Sequence, residues 1–175
     1  MSLFKRRLFL KRGLLLLAAA PLLNACGFKL RTAQPMPFKT IAVTPEHGGG
    51  VAAELSRYFS DILLPVAPGV DGVLPEVILD ITQELRDKIV MGMNTSGQVR
   101  EYQLRLRVFF KLRTPLGREL IAQTELEQSR EISFNESVVL AKESEEALLY
   151  RDMQTDIAQQ LLRRLAAAKV GAVAP

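Results

Sequence analysis

Residues Gln98 to Arg113 read QVREYQLRLRVFFKLR, and this stretch decides the fold. Leu104, Leu106, Val108, Phe110 and Leu112 alternate with Gln103, Arg105, Arg107, Lys111 and Arg113, and Phe109 falls on the polar side. Side chains of a strand point to opposite faces in turn, so this period of two predicts a strand with one dry and one charged face. Thr114 to Arg118 (TPLGR) supplies turn residues. A returning strand is predicted from Glu119 to about Phe134. Upstream, Gly92 to Gly97 reads as a turn, and the alternation of Val77, Leu79 and Ile81 predicts a strand continuing to Val90.

Further out, Thr40 to Thr44 is a short strand with Ile41 and Val43 on one face. A loop from Pro45 to Gly50 leads into an amphipathic helix predicted over 51–64, with Leu55, Tyr58, Phe59, Ile62 and Leu63 at helical spacing. After a loop at 135–142, a second helix is predicted over 143–168, its stripe formed by Leu149, Met153, Ile157, Leu161 and Leu165. The order is β-α-β-β-β-α. The simplest packing is an α+β two-layer sandwich, a four-stranded mixed sheet with both helices on one face and the other face polar.

The 175 residues suffice for one domain with a real core. The net charge of +4 resides in the N-terminus, where Lys5, Arg6, Arg7, Lys11 and Arg12 stand without an acid among the first 25 residues. Removing those five of 23 bases leaves 18 against 19 acids, a net of −1. Such a near-neutral domain lacks the positive field that binding a nucleic-acid backbone requires, so no nucleic-acid partner is expected.

Residues 1–25 have the form of a secretory signal peptide: a basic start, the apolar run Leu14 to Leu23, and small residues at the cut. The run is too short to span a bilayer, which takes about 20 apolar residues. Arg6 to Lys11 (RRLFLK) is similar to a twin-arginine export signal, and an ordinary basic start fits equally well. The single cysteine, Cys26, excludes an intramolecular disulfide. The segment Leu23-Asn24-Ala25-Cys26-Gly27 resembles the lipobox of bacterial lipoproteins, with Asn24 departing from the small or β-branched residue usual there. That resemblance implies cleavage before Cys26, a diacylglycerol thioether and an N-acyl chain such as palmitate, which together anchor the chain in a bilayer. Gly27, where retained lipoproteins carry Asp, favours the outer membrane. The expected organisation is a signal peptide at 1–25, a lipidated N-terminus and tether at 26–39, a domain at 40–169 and a flexible tail at 170–175.

The row Arg105, Arg107, Lys111 and Arg113 has two readings. It meets an anionic ligand, or it pairs with the returning strand. With Arg113 opposite Glu119, Arg107 falls opposite Glu125 and Arg105 opposite Glu127, cross-strand charge pairs of about 0.2–1 kcal/mol each. Both hold if Lys111 and Arg113 stay free. His47, the only histidine, has no partners for a metal site or a triad. Gly48 to Gly50 before a helix offers backbone N–H groups to a phosphate, although no Walker lysine follows and a flexible helix entry explains it as well. Glu143, Glu145 and Glu146 at a helix start complement its dipole. No nucleophile–base pair assembles, so no enzyme, metal or cofactor is expected.

Several segments are similar to the LptE family of lipopolysaccharide-assembly lipoproteins: CGFKLR from Cys26, Gly97-Gln98 followed by Glu101-Tyr102 opening a long strand, and Leu140-Ala141-Lys142 followed by acids and a Gln- and Leu-rich helix. The matches occur in order over nearly the whole mature chain. The resemblance implies a two-layer domain, lipid-anchored on the periplasmic side of the outer membrane, that sits inside the β-barrel LptD as a plug, binds lipopolysaccharide and supports its assembly at the surface. It implies Lys142 as a lipid-binding residue. A second basic position of the family is Thr95 here, and Arg100 is the expected substitute; Lys111 and Arg113 complete the candidate ligand set. The alternative is a stand-alone periplasmic lipoprotein that binds a small anionic ligand.

Overall fold

The computed structural model describes residues 35–68 and 72–170. The signal peptide, Cys26 with its lipobox, and the tail beyond Val170 lie outside the described residues.

Four strands form one sheet in the order β1-β2-β3-β4, with β1 Ile41–Thr44, β2 Val77–Met93, β3 Val99–Arg113 and β4 Glu119–Ser133. Strand β1 runs parallel to β2, across the crossover that holds helix α1 (Gly50–Tyr58); β2, β3 and β4 form an antiparallel meander. The second helix, α2, covers Val139–Ala166. The architecture is the expected mixed-sheet α+β sandwich.

Leu104, Leu106, Val108, Phe110 and Leu112 are fully buried. They pack against Leu55 and Phe59 of the α1 region and Met153, Ile157, Leu161 and Leu165 of α2 in one core. Burying side chains of this size stabilises by about 1.5–3 kcal/mol each. Tight turns join the meander: Asn94 accepts hydrogen bonds from the N–H groups of Ser96 (3.0 Å) and Gln98 (2.9 Å), and Gly97 takes φ +78°. At the other end the N–H of Thr114 donates to the carbonyl of Arg118 (2.9 Å) across Gly117.

Helix α1 stops at Tyr58, short of the expected residue 64. The chain leaves the helix to dock beside β1, where Ile41 N–H donates to the Ile62 carbonyl (3.0 Å) and Leu64 N–H to the Ile41 carbonyl (2.9 Å). Pro65 supports the same outcome, because the residue before a proline is driven to extended backbone. Helix α2 begins earlier than expected. Asn135 caps a 3-10 turn at Glu136–Val138 by accepting from the N–H of Ser137 (2.9 Å), and this turn leads straight into Val139. Lys142 therefore sits in the first turn of α2, not in a loop.

A bulge changes the phase of β2. Ile81 pairs with Phe110, but Gln83, not Thr82, pairs with Phe109. One extra residue reverses which side chains face the core. Leu79 and Ile81 face the helices before it; Glu84, Arg86 and Lys88 do so after it. Leu85 and Ile89 are turned onto the opposite face and exposed. That face is thus not uniformly polar as expected: it carries Leu85, Ile89 and Phe109, and toward β1 it includes the buried Ala42 and Ile78.

Candidate functional site

The four candidate ligand residues divide between two ends of the sheet. Lys111 and Arg113 lie on the face away from the helices, at the end where β1 joins. Neither is free. Arg113 Nε donates to Asp80 at 2.7 Å, and Lys111 Nζ stands 4.0 Å from the same carboxylate. Thr44 Oγ1 donates to Asp80 as well, at 2.8 Å. Burial pushes the Asp80 carboxyl up, but the hydrogen bonds from Arg113 and Thr44 and the charges of Arg113 and Lys111 outweigh it and hold the carboxyl below its ordinary value. The hydrogen bond to Asp80 raises Arg113 in turn. The condition that these two cations stay available is not met.

The rest of the arginine row is also paired, Arg107 with β2 and Arg105 with β4. Arg107 binds Asp87 at 2.9 Å, and Arg105 lies 3.6 Å from Glu127. Arg113 does stand opposite Glu119, as expected. Two irregularities between Phe110 and Arg113 then insert two residues into β4, so Arg107 faces Glu127 and Arg105 faces Ser129. A two-residue shift keeps every side chain on its face, which is why the ladder survives with different partners.

The other end carries the more open site. Where β2, β3 and β4 run past α1, the start of α2 closes over them. A cavity of about 210 Å³ forms there, lined by Lys88 of β2, Tyr102 of β3, Ile132 and Phe134 at the end of β4, and Val139, Lys142, Glu143 and Glu146 of α2. The rings of Tyr102 and Phe134 meet edge to face at 5.4 Å. Lys88 Nζ sits 4.5 Å from the Tyr102 centroid and 2.6 Å from Glu146. Lys142 Nζ donates to Ser133 Oγ at 3.0 Å and to Glu145 at 2.8 Å. Exposed apolar side chains ring this end: Val90, Met91 and Met93 from β2, Val138 from the 3-10 turn, and Val139 and Leu140 from α2.

Arg100 projects from the helix-bearing face of β3 at the same end, exposed, with its guanidinium on Gln98 at 3.2 Å. It does not line the cavity. Lys142 and Arg100 therefore share one end, and Lys111 and Arg113 lie some nine strand residues away, roughly 30 Å at about 3.3 Å per residue, on the other face. Lys88 escaped sequence reasoning because unbroken alternation from Val77 puts it on the other face; the bulge at Thr82 brings it in. Glu145 and Glu146, expected to serve the helix dipole, are instead the partners of the two lysines.

The glycine loop at 48–50 holds no open anion cradle. The N–H of Val51 is already taken by Glu84 at 2.9 Å. His47 is exposed, and no group of metal-ligating side chains occurs among the described residues.

Several solved structures similar to this chain are lipoproteins. Uncharacterized lipoprotein B from Nitrosomonas europaea, solved by solution NMR, is 32% identical, with 80% of this chain and 90% of that one covered at a TM-score of 0.65. A minor lipoprotein from Acinetobacter baumannii (20% identity, 76% and 94% covered, TM-score 0.58) and rare lipoprotein B from Shewanella oneidensis (19%, 73% and 92%, TM-score 0.58) share the fold. No curated protein matches the chain. Residues 38–165 match the family described as LptE, lipopolysaccharide-assembly, and that span takes in both helices' core faces, the whole sheet and the lysine cavity. The chain belongs to the LptE family.

Proposed function

We propose that this chain is an outer-membrane lipoprotein, held on the periplasmic side by acylated Cys26, that joins the LptD β-barrel, binds lipopolysaccharide and supports its assembly at the outer-membrane surface. The observation that carries the reading is the end of the sheet around Lys142. A lysine cavity stands beside two aromatic rings and a rim of exposed valine, methionine and leucine. Lipopolysaccharide presents the matching chemistry, phosphates on sugars next to hydrocarbon chains. Charge-assisted hydrogen bonds serve the phosphates, and the apolar rim serves the chains. The role is binding and scaffolding without a reaction.

The sheet face away from the helices suits a lumen-filling partner. Its arginines and acids neutralise one another in pairs, which leaves a surface of low net charge, interrupted by Leu85 and Ile89, for a polar barrel interior.

Lys142→Glu tests the ligand reading. Lipopolysaccharide binding is expected to fall while the fold persists, because Lys142 lies in the first turn of α2 outside the core. Unchanged affinity removes Lys142 from the site. Extraction in detergent tests the partner: a stoichiometric barrel is expected to co-purify, and a chain that emerges alone favours the stand-alone, small-anion reading. Mass spectrometry of the N-terminal peptide from membrane fractions tests acylation of Cys26.

A further inference from the structure

We propose that Lys88 is the second cation of this site and that Glu146 is its resident counter-ion, which an incoming phosphate must displace. The inference rests on the reading of this end as the lipopolysaccharide site, and it assigns two residues to that site.

Lys88 reaches the cavity from β2, on the wall opposite α2. Its ammonium stands over the face of Tyr102 and 5.9 Å from the Phe134 centroid. The rings' quadrupoles attract the cation toward this wall. Lys142 reaches the same cavity from α2, and Glu146 is one turn further along that helix. Residues four apart share a helix face, so Lys142 and Glu146 look into one space. The cavity, about 210 Å³ in volume, has room for an oxyanion between the β2 and α2 walls.

The charges that line the site cancel: Lys88 and Lys142 stand there with Glu143 and Glu146. Neither resident ion pair is sealed from water. The Lys88 side chain is 37% exposed and Glu146 24%, while Glu145, the partner of Lys142, is 48% exposed. Ion pairs open to water contribute little, so they exchange readily. A phosphate monoester carries about −1.5 to −2 charges and three strong acceptor oxygens. A carboxylate carries one charge. A phosphate that bridges both lysines therefore outcompetes Glu146 for Lys88, and Glu146 sets the threshold for binding.

The test uses the full-length acylated lipoprotein in detergent, with lipid A, enzymatically dephosphorylated lipid A and inorganic phosphate as probes. Lys88→Ala is expected to weaken lipid A binding about tenfold or more, the size of one charge-assisted hydrogen bond. Glu146→Gln is expected to tighten it several-fold, and the gain should vanish in the Lys88→Ala background. Misfolding cannot produce a gain, so this variant keeps the outcome readable. Dephosphorylated lipid A should not distinguish the variants. Inorganic phosphate that competes at millimolar level with the same variant pattern would make the free anion the ligand and uphold the two assignments. If Lys142→Glu loses lipid A while Lys88→Ala and Glu146→Gln bind like wild type, the proposal fails and the lipopolysaccharide reading stands. If the wild-type protein binds no lipid A at all, that reading fails and takes the proposal with it.

Discussion

The carboxylate of Glu84, in β2 just beyond the bulge, accepts the backbone N–H of Val51 at 2.9 Å and thereby caps a helix more than thirty residues earlier in the chain. Gly49 occupies the N-cap position of α1 and has no side chain to do so. The second oxygen of Glu84 accepts from Gln154 Nε2 at 2.7 Å. One side chain on the sheet thus ties the start of α1 to the middle of α2.

Glu84→Ala should therefore destabilise the domain by about 1–3 kcal/mol, from a lost cap and an unpaired amide at Gln154. Gly50→Ala should also be costly, because Gly50 has φ +60° and an added Cβ would press on the Glu84 carboxylate. Left-handed backbone at a non-glycine residue costs about 1–2 kcal/mol before any clash. The clash disappears when Glu84 is truncated. Urea unfolding of the double variant should show a loss smaller than the sum of the two single losses, and strict additivity would refute the contact.

Asp80→Asn tests the cluster at the other end of the sheet. At neutral pH it should cost about 1.5–3 kcal/mol, the range for hydrogen bonds to a charged group. The folded-state carboxyl lies below its ordinary 3.8, so its contribution is complete above that value and declines as pH falls through the lower folded-state value. Wild type and variant should differ most near pH 7 and converge in acid. A gap that persists unchanged at the lowest pH where both still fold would contradict the assignment.

Tyr150 gives the corresponding test in alkali. Its hydroxyl donates to the Asp87 carbonyl at 2.9 Å, and burial first, then the charge of Glu146, pushes the phenol above 10.0. A raised value means the neutral form is favoured by folding. That stability is complete below the unfolded-state value and is lost as pH rises through the folded-state one. Tyr150→Phe should cost about 0.5–1.5 kcal/mol at neutral pH. It should also flatten the decline in stability above about pH 10, the ordinary tyrosine range. A profile as steep as that of wild type would assign the alkaline loss to other groups.

Much of this fold was legible because β3 states its two faces without interruption. The alternation from Leu104 to Leu112 fixed the core face, and Met153, Ile157, Leu161 and Leu165 fixed the helix that covers it. Periodicity failed where one residue was added. The bulge at Thr82 leaves no mark in composition, and it exchanges Leu85 and Ile89 for Lys88 on the helix-bearing face. The two irregularities near Leu112 likewise altered which acid meets which arginine. The site was half legible: Lys142 was marked by resemblance, while Lys88 depended on a backbone shift and on an α2 that starts at Val139 instead of Glu143. Asn135, placed in a loop by the sequence reading, caps the 3-10 turn that leads into this earlier start.

The same bulge yields a prediction for the partner surface. Leu85 and Ile89 stand 38% and 36% exposed on the face away from the helices, among paired charges and beside the half-buried Phe109. An isolated domain gains little from apolar side chains held in water, whereas a face packed against another protein gains about 25 cal/mol for each Å² of apolar surface covered. Leu85→Asp and Ile89→Asp should leave the free domain within about 0.5–1 kcal/mol of wild type, since neither belongs to the core. In the proposed complex each would bury an unpaired carboxylate, which is strongly unfavourable. Barrel co-purification should therefore fall while lipid A binding to the free lipoprotein is kept. Undiminished recovery of the barrel with both substitutions present would move the partner contact to another face.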